Sequence, residues 1–133
     1  MTSGSDFEKI QERLEEIYKI IDAKAQNQVN LIAVTKGFTH EEVNVATELG
    51  IKNFGENYAQ ELLAKNPLVD AEISWHFIGQ LQSNKIKKVS HLVDVWHSVT
   101  SLKLAREIHN RNDQAEILLQ VSVSGPSNSK GFE

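Results

Sequence analysis

Lys36 stands where a buried strand is expected to end. The apolar residues 31–34 are followed directly by Thr35 and Lys36, and a helix-start signal comes at Thr39. In parallel α/β folds, functional groups sit at the carboxyl ends of the strands. A partly desolvated lysine there can lose its proton and form a Schiff base with an aldehyde, of which pyridoxal phosphate is the commonest cofactor example. A lysine at a strand end is nevertheless more often simply solvated.

Polar side chains follow the other predicted strands as well. Asn57 comes shortly after the second strand, and His76 lies inside the third. If the strands are parallel, these groups meet at one edge and would suit a polar, anionic aromatic ligand. Each also has a plainer interpretation, because Asn57 could cap the next helix and His76 could be a hydrogen-bonded core histidine. The further polar residues near strand ends are Glu56, Gln80, Gln82, Ser83, Asn84, His97, Ser98, Ser122, Ser124, Ser129 and Lys130.

Composition excludes several classes of function. The 133 residues carry a net charge of −4, which argues against nucleic acid as the main partner. The chain has no cysteine, and therefore no disulfide or thiolate chemistry. No apolar run approaches the roughly 20 residues that span a membrane, and the N-terminus has no signal-peptide core, so we expect a cytoplasmic protein. His40 and His91 lack the spacing of metal ligands, so no metal site is expected.

The elements that position these residues alternate between strands and helices. A first amphipathic helix is expected to begin at a capping box of Ser5 and Glu8, and a second at a capping box of Thr39 and Glu42. Apolar runs that recur after each helical segment are typical of βα units with buried, parallel strands. The predicted strands span residues 31–35, 51–54, 75–78, 92–96 and 116–123, and the later helices span residues 58–65, 83–89 and a segment opening at Thr100 or Ser101.

Five such units fit two architectures. One is a doubly wound sheet of the flavodoxin type, and the other is an incomplete (β/α)8 barrel, whose full form takes about 250 residues. On the pattern alone, the doubly wound sheet is the better prediction for a chain of this length. In either case residues 1–133 form a single domain, with a helix and lead-in over residues 1–30 and five βα units over residues 31–133.

Four segments occur in the order and spacing of a known family. They read AVTK at residues 33–36, FGENY at 54–58, WHFIGQLQSNK at 75–85, and VSVSG at 121–125 followed by SKGF at 129–132. On these segments the chain resembles the pyridoxal phosphate homeostasis proteins, the YggS/PROSC-like family. The resemblance implies a (β/α)8 barrel of the TIM-barrel type, similar to the N-terminal domain of alanine racemase, with an extra N-terminal helix and only about five of the eight βα units.

The resemblance also implies a function. Family members bind pyridoxal 5'-phosphate (PLP), hold it or pass it to apo forms of PLP-dependent enzymes, and have no established catalytic turnover. Lys36 would carry the cofactor as a Schiff base, with Asn57 lining the pocket and His76 close to it. The alternative is a fold-type III enzyme resembling an amino-acid racemase, which needs a tyrosine as its second acid or base. The two tyrosines, Tyr18 and Tyr58, are not expected at a strand end.

The resemblance places the family's phosphate cradle in the last three βα units, which this chain is not expected to contain. Helix N-termini and backbone amides usually hold a phosphate, so their absence would weaken cofactor binding. The first and fifth strands would also be open sheet edges. We therefore expect the chain to self-associate through them.

Overall fold

The computed structural model describes residues 4–123 and 131–132, with side chains from Phe7 onward. Within these ranges the sheet has five strands: β1 (Ile32–Val34), β2 (Asn53–Glu56), β3 (Ser74–Phe77), β4 (Val93–Val99) and β5 (Glu116–Leu119). Each strand pairs in parallel with the next one along the chain. A flavodoxin-type sheet would instead place β1 between β2 and β3. The prediction made from the pattern alone is therefore wrong, and the fold is of the (β/α)8 barrel type.

Helices connect the strands in the expected alternation. They are α1 (Gly4–Lys24), α2 (His40–Glu48), α3 (Ala59–Lys65), α4 (Ser83–Val89) and α5 (Leu102–Arg111), with a 3-10 turn over Asn66–Leu68. Right-handed crossovers between consecutive parallel strands put the connecting helices on one face of the sheet. None of the helices in the described ranges has the length and apolar character needed to cross a membrane.

Side-chain caps set the starts of α2 and α5. The capping box of Thr39 and Glu42 is present, since each side chain bonds the other residue's backbone N–H. Between the two candidates for α5, Ser101 is the cap, and its hydroxyl accepts the N–H of Leu104. α1 does not begin after Ser5, as the expected capping box requires. It begins at Gly4 and already includes Ser5, whose side chain lies outside the described part.

Strand boundaries depart from prediction where tertiary contacts decide them. β2 begins at Asn53, two residues late, because Ile51 still donates its N–H to the Ala46 carbonyl of α2. β4 extends to Val99, whose carbonyl accepts the N–H of Gln120. β5 ends at Leu119, and beyond it residues 121 and 132 form an isolated parallel bridge.

The core lies between the sheet and its helices. Phe54 packs on Trp75 with ring centroids 6.0 Å apart, and Phe77 packs on Trp96 at 5.5 Å. Both tryptophans are therefore core residues. Fully buried side chains from the helices close this core: Val43, Leu62, Ile86, Val89 and Ile108. Side chains alternate along a strand, so the opposite face of the sheet, the inner face of a barrel, carries other residues, among them His76.

Candidate functional site

Lys36 lies in a tight turn directly after β1. The N–H of Phe38 donates to the carbonyl of Thr35 at 3.0 Å, and Gly37 has φ +78°. A turn closed in this way with a left-handed third residue is typical of type II, which favours glycine at that position. Lys36 occupies the second position of the turn and is exposed, not partly desolvated as the sequence analysis assumed. Its amine forms no hydrogen bond or ion pair with the described residues.

A buried ion pair lies directly behind this turn. The Lys65 ammonium, from the end of α3, is 2.6 Å from Glu56 Oε1 and donates to the Thr35 carbonyl at 2.6 Å. The Thr35 hydroxyl donates to the same Glu56 oxygen at 2.8 Å. Glu56 has no solvent exposure and Lys65 has 7%. The last strand residue of β2 and the last residue of α3 are thereby tied to the residue that precedes Lys36.

Glu61 extends this network to the other side of the turn. Its Oε2 accepts the backbone N–H of Gly37 at 2.9 Å and is 3.1 Å from the Lys65 nitrogen. The Gly37 N–H, helped by Lys65 and opposed by partial burial, holds the pKa of the Glu61 carboxyl below its usual value. Both chain neighbours of Lys36 are therefore held by one set of charged side chains. This network was not predicted from the sequence, in which only the i,i+4 spacing of Glu61 and Lys65 indicates a contact.

Asn57 does not cap the following helix. The N-cap of α3 is Tyr58, and no side chain caps that helix end. Asn57 instead meets the loop after β3, where a Cβ added to Gly79 would lie 2.1 Å from the Asn57 carbonyl oxygen. The loops that follow β2 and β3 are thus in direct backbone contact, and only glycine fits at position 79. The Asn57 side chain is half-buried.

His76 is buried on the inner face of the sheet and has polar neighbours at both ring nitrogens. Its Nδ1 is 3.0 Å from His97 Nε2, and its Nε2 is 3.3 Å from Asn53 Oδ1. Burial, together with the neighbouring His97, lowers the pKa of His76, and burial lowers the pKa of His97. This arrangement is that of a hydrogen-bonded core histidine. Gly55 of β2 is paired with Val34 of β1 on one side and with His76 of β3 on the other. β1 and β3 are therefore about 10 Å apart.

A separate cleft of about 160 Å³ opens at the carboxyl ends of β3, β4 and β5. Ser98 lines it and has φ +59°, an uncommon conformation for a residue other than glycine. Neither Lys36 nor Asn57 nor His76 lines this cleft. The predicted strand-end residues Ser124, Ser129 and Lys130 lie outside the described part.

Comparison with known proteins adds to this geometry. No protein-family model matches the chain. A pyridoxal phosphate homeostasis protein of Pseudomonas aeruginosa is 38% identical over 108 residues, and one of Aquifex aeolicus is 34% identical over 133 residues. The chain belongs to the pyridoxal phosphate homeostasis protein family. The matches cover 77% and 95% of this chain, but 47% and 58% of those relatives.

A solved structure supports the same assignment. PipY of Synechococcus elongatus, determined with PLP bound, superposes with a TM-score of 0.79 at 31% identity. The superposition covers 93% of this chain and 58% of PipY. This chain therefore spans roughly half to three fifths of the length of the family members that it matches. The barrel-type fold that the resemblance implied is confirmed.

Proposed function

We propose that this chain binds pyridoxal 5'-phosphate at Lys36 and serves PLP homeostasis, holding the cofactor for delivery to apo forms of PLP-dependent enzymes. The observation that carries the proposal is the Lys36 turn: an exposed lysine amine at the carboxyl end of β1, without a partner among the described residues. Proteins of the same family are named for PLP homeostasis, and PipY was solved with PLP.

The residues near the turn supply the groups that we assign to the cofactor. PLP supplies an aldehyde, and the Lys36 amine is the group that would form the Schiff base with it. The half-buried Asn57 would line the pocket from the next strand end, and His76 would lie further away on the inner face. Because His97 and Asn53 already occupy both nitrogens of His76, we assign His76 a supporting role and not direct contact with the aldehyde.

We propose binding without catalytic turnover. A racemase-like enzyme needs a second acid or base opposite the lysine. Tyr58 follows β2 by two residues, closer to a strand end than the sequence analysis expected. However, it lines a hollow between α3 and α4 together with Lys85 and Lys88. Tyr18 lies on α1, far along the chain from any strand end. Neither tyrosine is placed for this role.

An absorbance titration with PLP tests the proposal. The wild-type protein is expected to develop the absorbance band of a protein-bound Schiff base, and Lys36→Ala is expected to lose it. Lys52→Ala is the matched control. Lys52 is also exposed, but it precedes β2 and so lies at the amino ends of the strands, away from Lys36 at the carboxyl end of β1. Equal bands in the wild type and Lys36→Ala would refute Lys36 as the binding residue.

The outer strands support a second proposal, self-association. Within the described part, β1 and β5 each pair with a neighbour on one side only. Val34 of β1 and Leu118 and Leu119 of β5 are about half exposed. Unpaired strand edges with apolar side chains bind other strands, so we expect this 133-residue chain to form dimers or larger species. Light scattering that finds only a monomer would contradict this.

A further inference from the structure

The charged network behind the Lys36 turn is unusual in its location. A buried ion pair is a weak source of stability, because apolar residues of similar size often stabilise a core as well or better. Here the pair of Glu56 and Lys65, from the ends of β2 and α3, is buried beside the end of β1, the strand that precedes the candidate lysine. Its hydrogen bonds go to the backbone and side chain of Thr35, the residue before Lys36. The location therefore points to positioning rather than to general stability.

Glu61 makes the arrangement two-sided. One of its two carboxylate oxygens, Oε2, accepts hydrogen bonds from both the Gly37 N–H and the Lys65 ammonium. The turn is thus held before Lys36 through Thr35 and after Lys36 through Gly37. Lys36 between them is left with an exposed side chain.

We propose that Glu56, Lys65 and Glu61 form a brace that positions Lys36 for PLP capture, an inference that rests on the proposed function. A backbone held at both neighbours restricts the volume that the Lys36 amine explores, and restricting a reacting group raises its effective concentration at the ligand. The brace residues are positioning residues, since none of them needs to touch the cofactor.

The brace also makes Lys36 and Lys65 differ in their reactivity toward an aldehyde. The Lys65 ammonium has three acceptors, the Thr35 carbonyl, Glu56 Oε1 and Glu61 Oε2, which match its three N–H donors. To attack an aldehyde, Lys65 would have to give up these bonds and become exposed. We therefore expect PLP to react with Lys36 and not with Lys65.

Glu61 offers the sharpest test, because it is partly exposed and Glu61→Ala leaves the Lys65–Glu56 pair in place. Glu61→Gln is the conservative variant, since its amide oxygen can still accept both hydrogen bonds. Gln60→Ala, at the exposed neighbouring position of α3, is the matched control. Two quantities are measured in each protein: hydrogen exchange of the Gly37 amide by NMR, and PLP trapped at Lys36 after borohydride reduction.

In Glu61→Ala we expect Gly37 exchange to become at least about fivefold faster and PLP capture at Lys36 to weaken by about fivefold to tenfold, the size of one lost hydrogen bond. Glu61→Gln should restore both quantities, and Gln60→Ala should match the wild type. Unchanged exchange, or faster exchange with unchanged capture, would overturn the brace alone. Failure of the wild type to trap PLP at Lys36 would overturn the proposed function and with it the role of the brace.

Discussion

Removing the Lys65 ammonium is expected to destabilise the fold strongly. Lys65→Met keeps an unbranched side chain one atom shorter than lysine but leaves the fully buried Glu56 carboxylate without its counter-ion. The Thr35 hydroxyl remains as one hydrogen-bond donor to that carboxylate. Breaking a buried pair by removing one partner costs about 3–5 kcal/mol, because an uncompensated charge stays in the core.

Urea unfolding followed by tryptophan fluorescence measures this effect. Trp75 and Trp96 are both buried, so their emission changes when the core opens. With an m-value of about 2 kcal/mol/M, the expected loss lowers the urea midpoint by about 1.5–2.5 M. A Lys65→Met midpoint within about 0.5 M of the wild type, a change of about 1 kcal/mol, would refute a charged, buried pair.

A double-mutant cycle isolates the interaction itself. Glu56→Gln removes the negative charge but keeps an oxygen for the Thr35 hydroxyl. The double variant Glu56→Gln/Lys65→Met has no charge left to compensate, so its loss should be smaller than the sum of the single losses by about 2 kcal/mol. Additive losses would show that the two residues are not coupled in the folded protein.

Two further predictions concern the backbone contact and the histidine pair. Gly79→Ala should cost about 1–3 kcal/mol, because its Cβ would collide with the rigid carbonyl of Asn57. Gly55→Ala should cost less, since its Cβ would meet isoleucine methyl groups at 3.2 Å or more. Urea midpoints of the two variants check this, and equal losses would contradict it. Burial lowers the pKa of His76 and His97, so at mildly acidic pH the unfolded chain binds more protons than the folded protein does. Stability should therefore fall as the pH drops below the unfolded-state value of about 6.5, and a urea midpoint that does not fall between neutral and mildly acidic pH would contradict this.

Local signals in the sequence predicted the fold's elements well. α4 was predicted with its observed bounds, and the Thr39–Glu42 capping box was predicted from its spacing. These features depend on residues within one turn of each other. Strand order does not, and the doubly wound prediction failed because periodicity shows only that strands are buried and parallel. The resemblance to a barrel family supplied the correct order.

The candidate site was predictable only in part. Lys36 could be found because it follows an apolar run directly, and that placement is a local property. The hydrogen bonds behind it join Thr35, Glu56 and Lys65, which are 9 to 30 positions apart in the chain. Glutamate at a strand end and lysine at a helix end are ordinarily solvated, so their burial as a pair could not be read without the tertiary structure.

The most direct test of PLP capture at Lys36 is borohydride reduction of the protein–PLP mixture followed by peptide mass mapping. The proposed function predicts one dominant modified peptide containing Lys36, with Lys65 unmodified and no such peptide from Lys36→Ala. Label spread over many surface lysines, or a dominant label elsewhere that survives in Lys36→Ala, would contradict it.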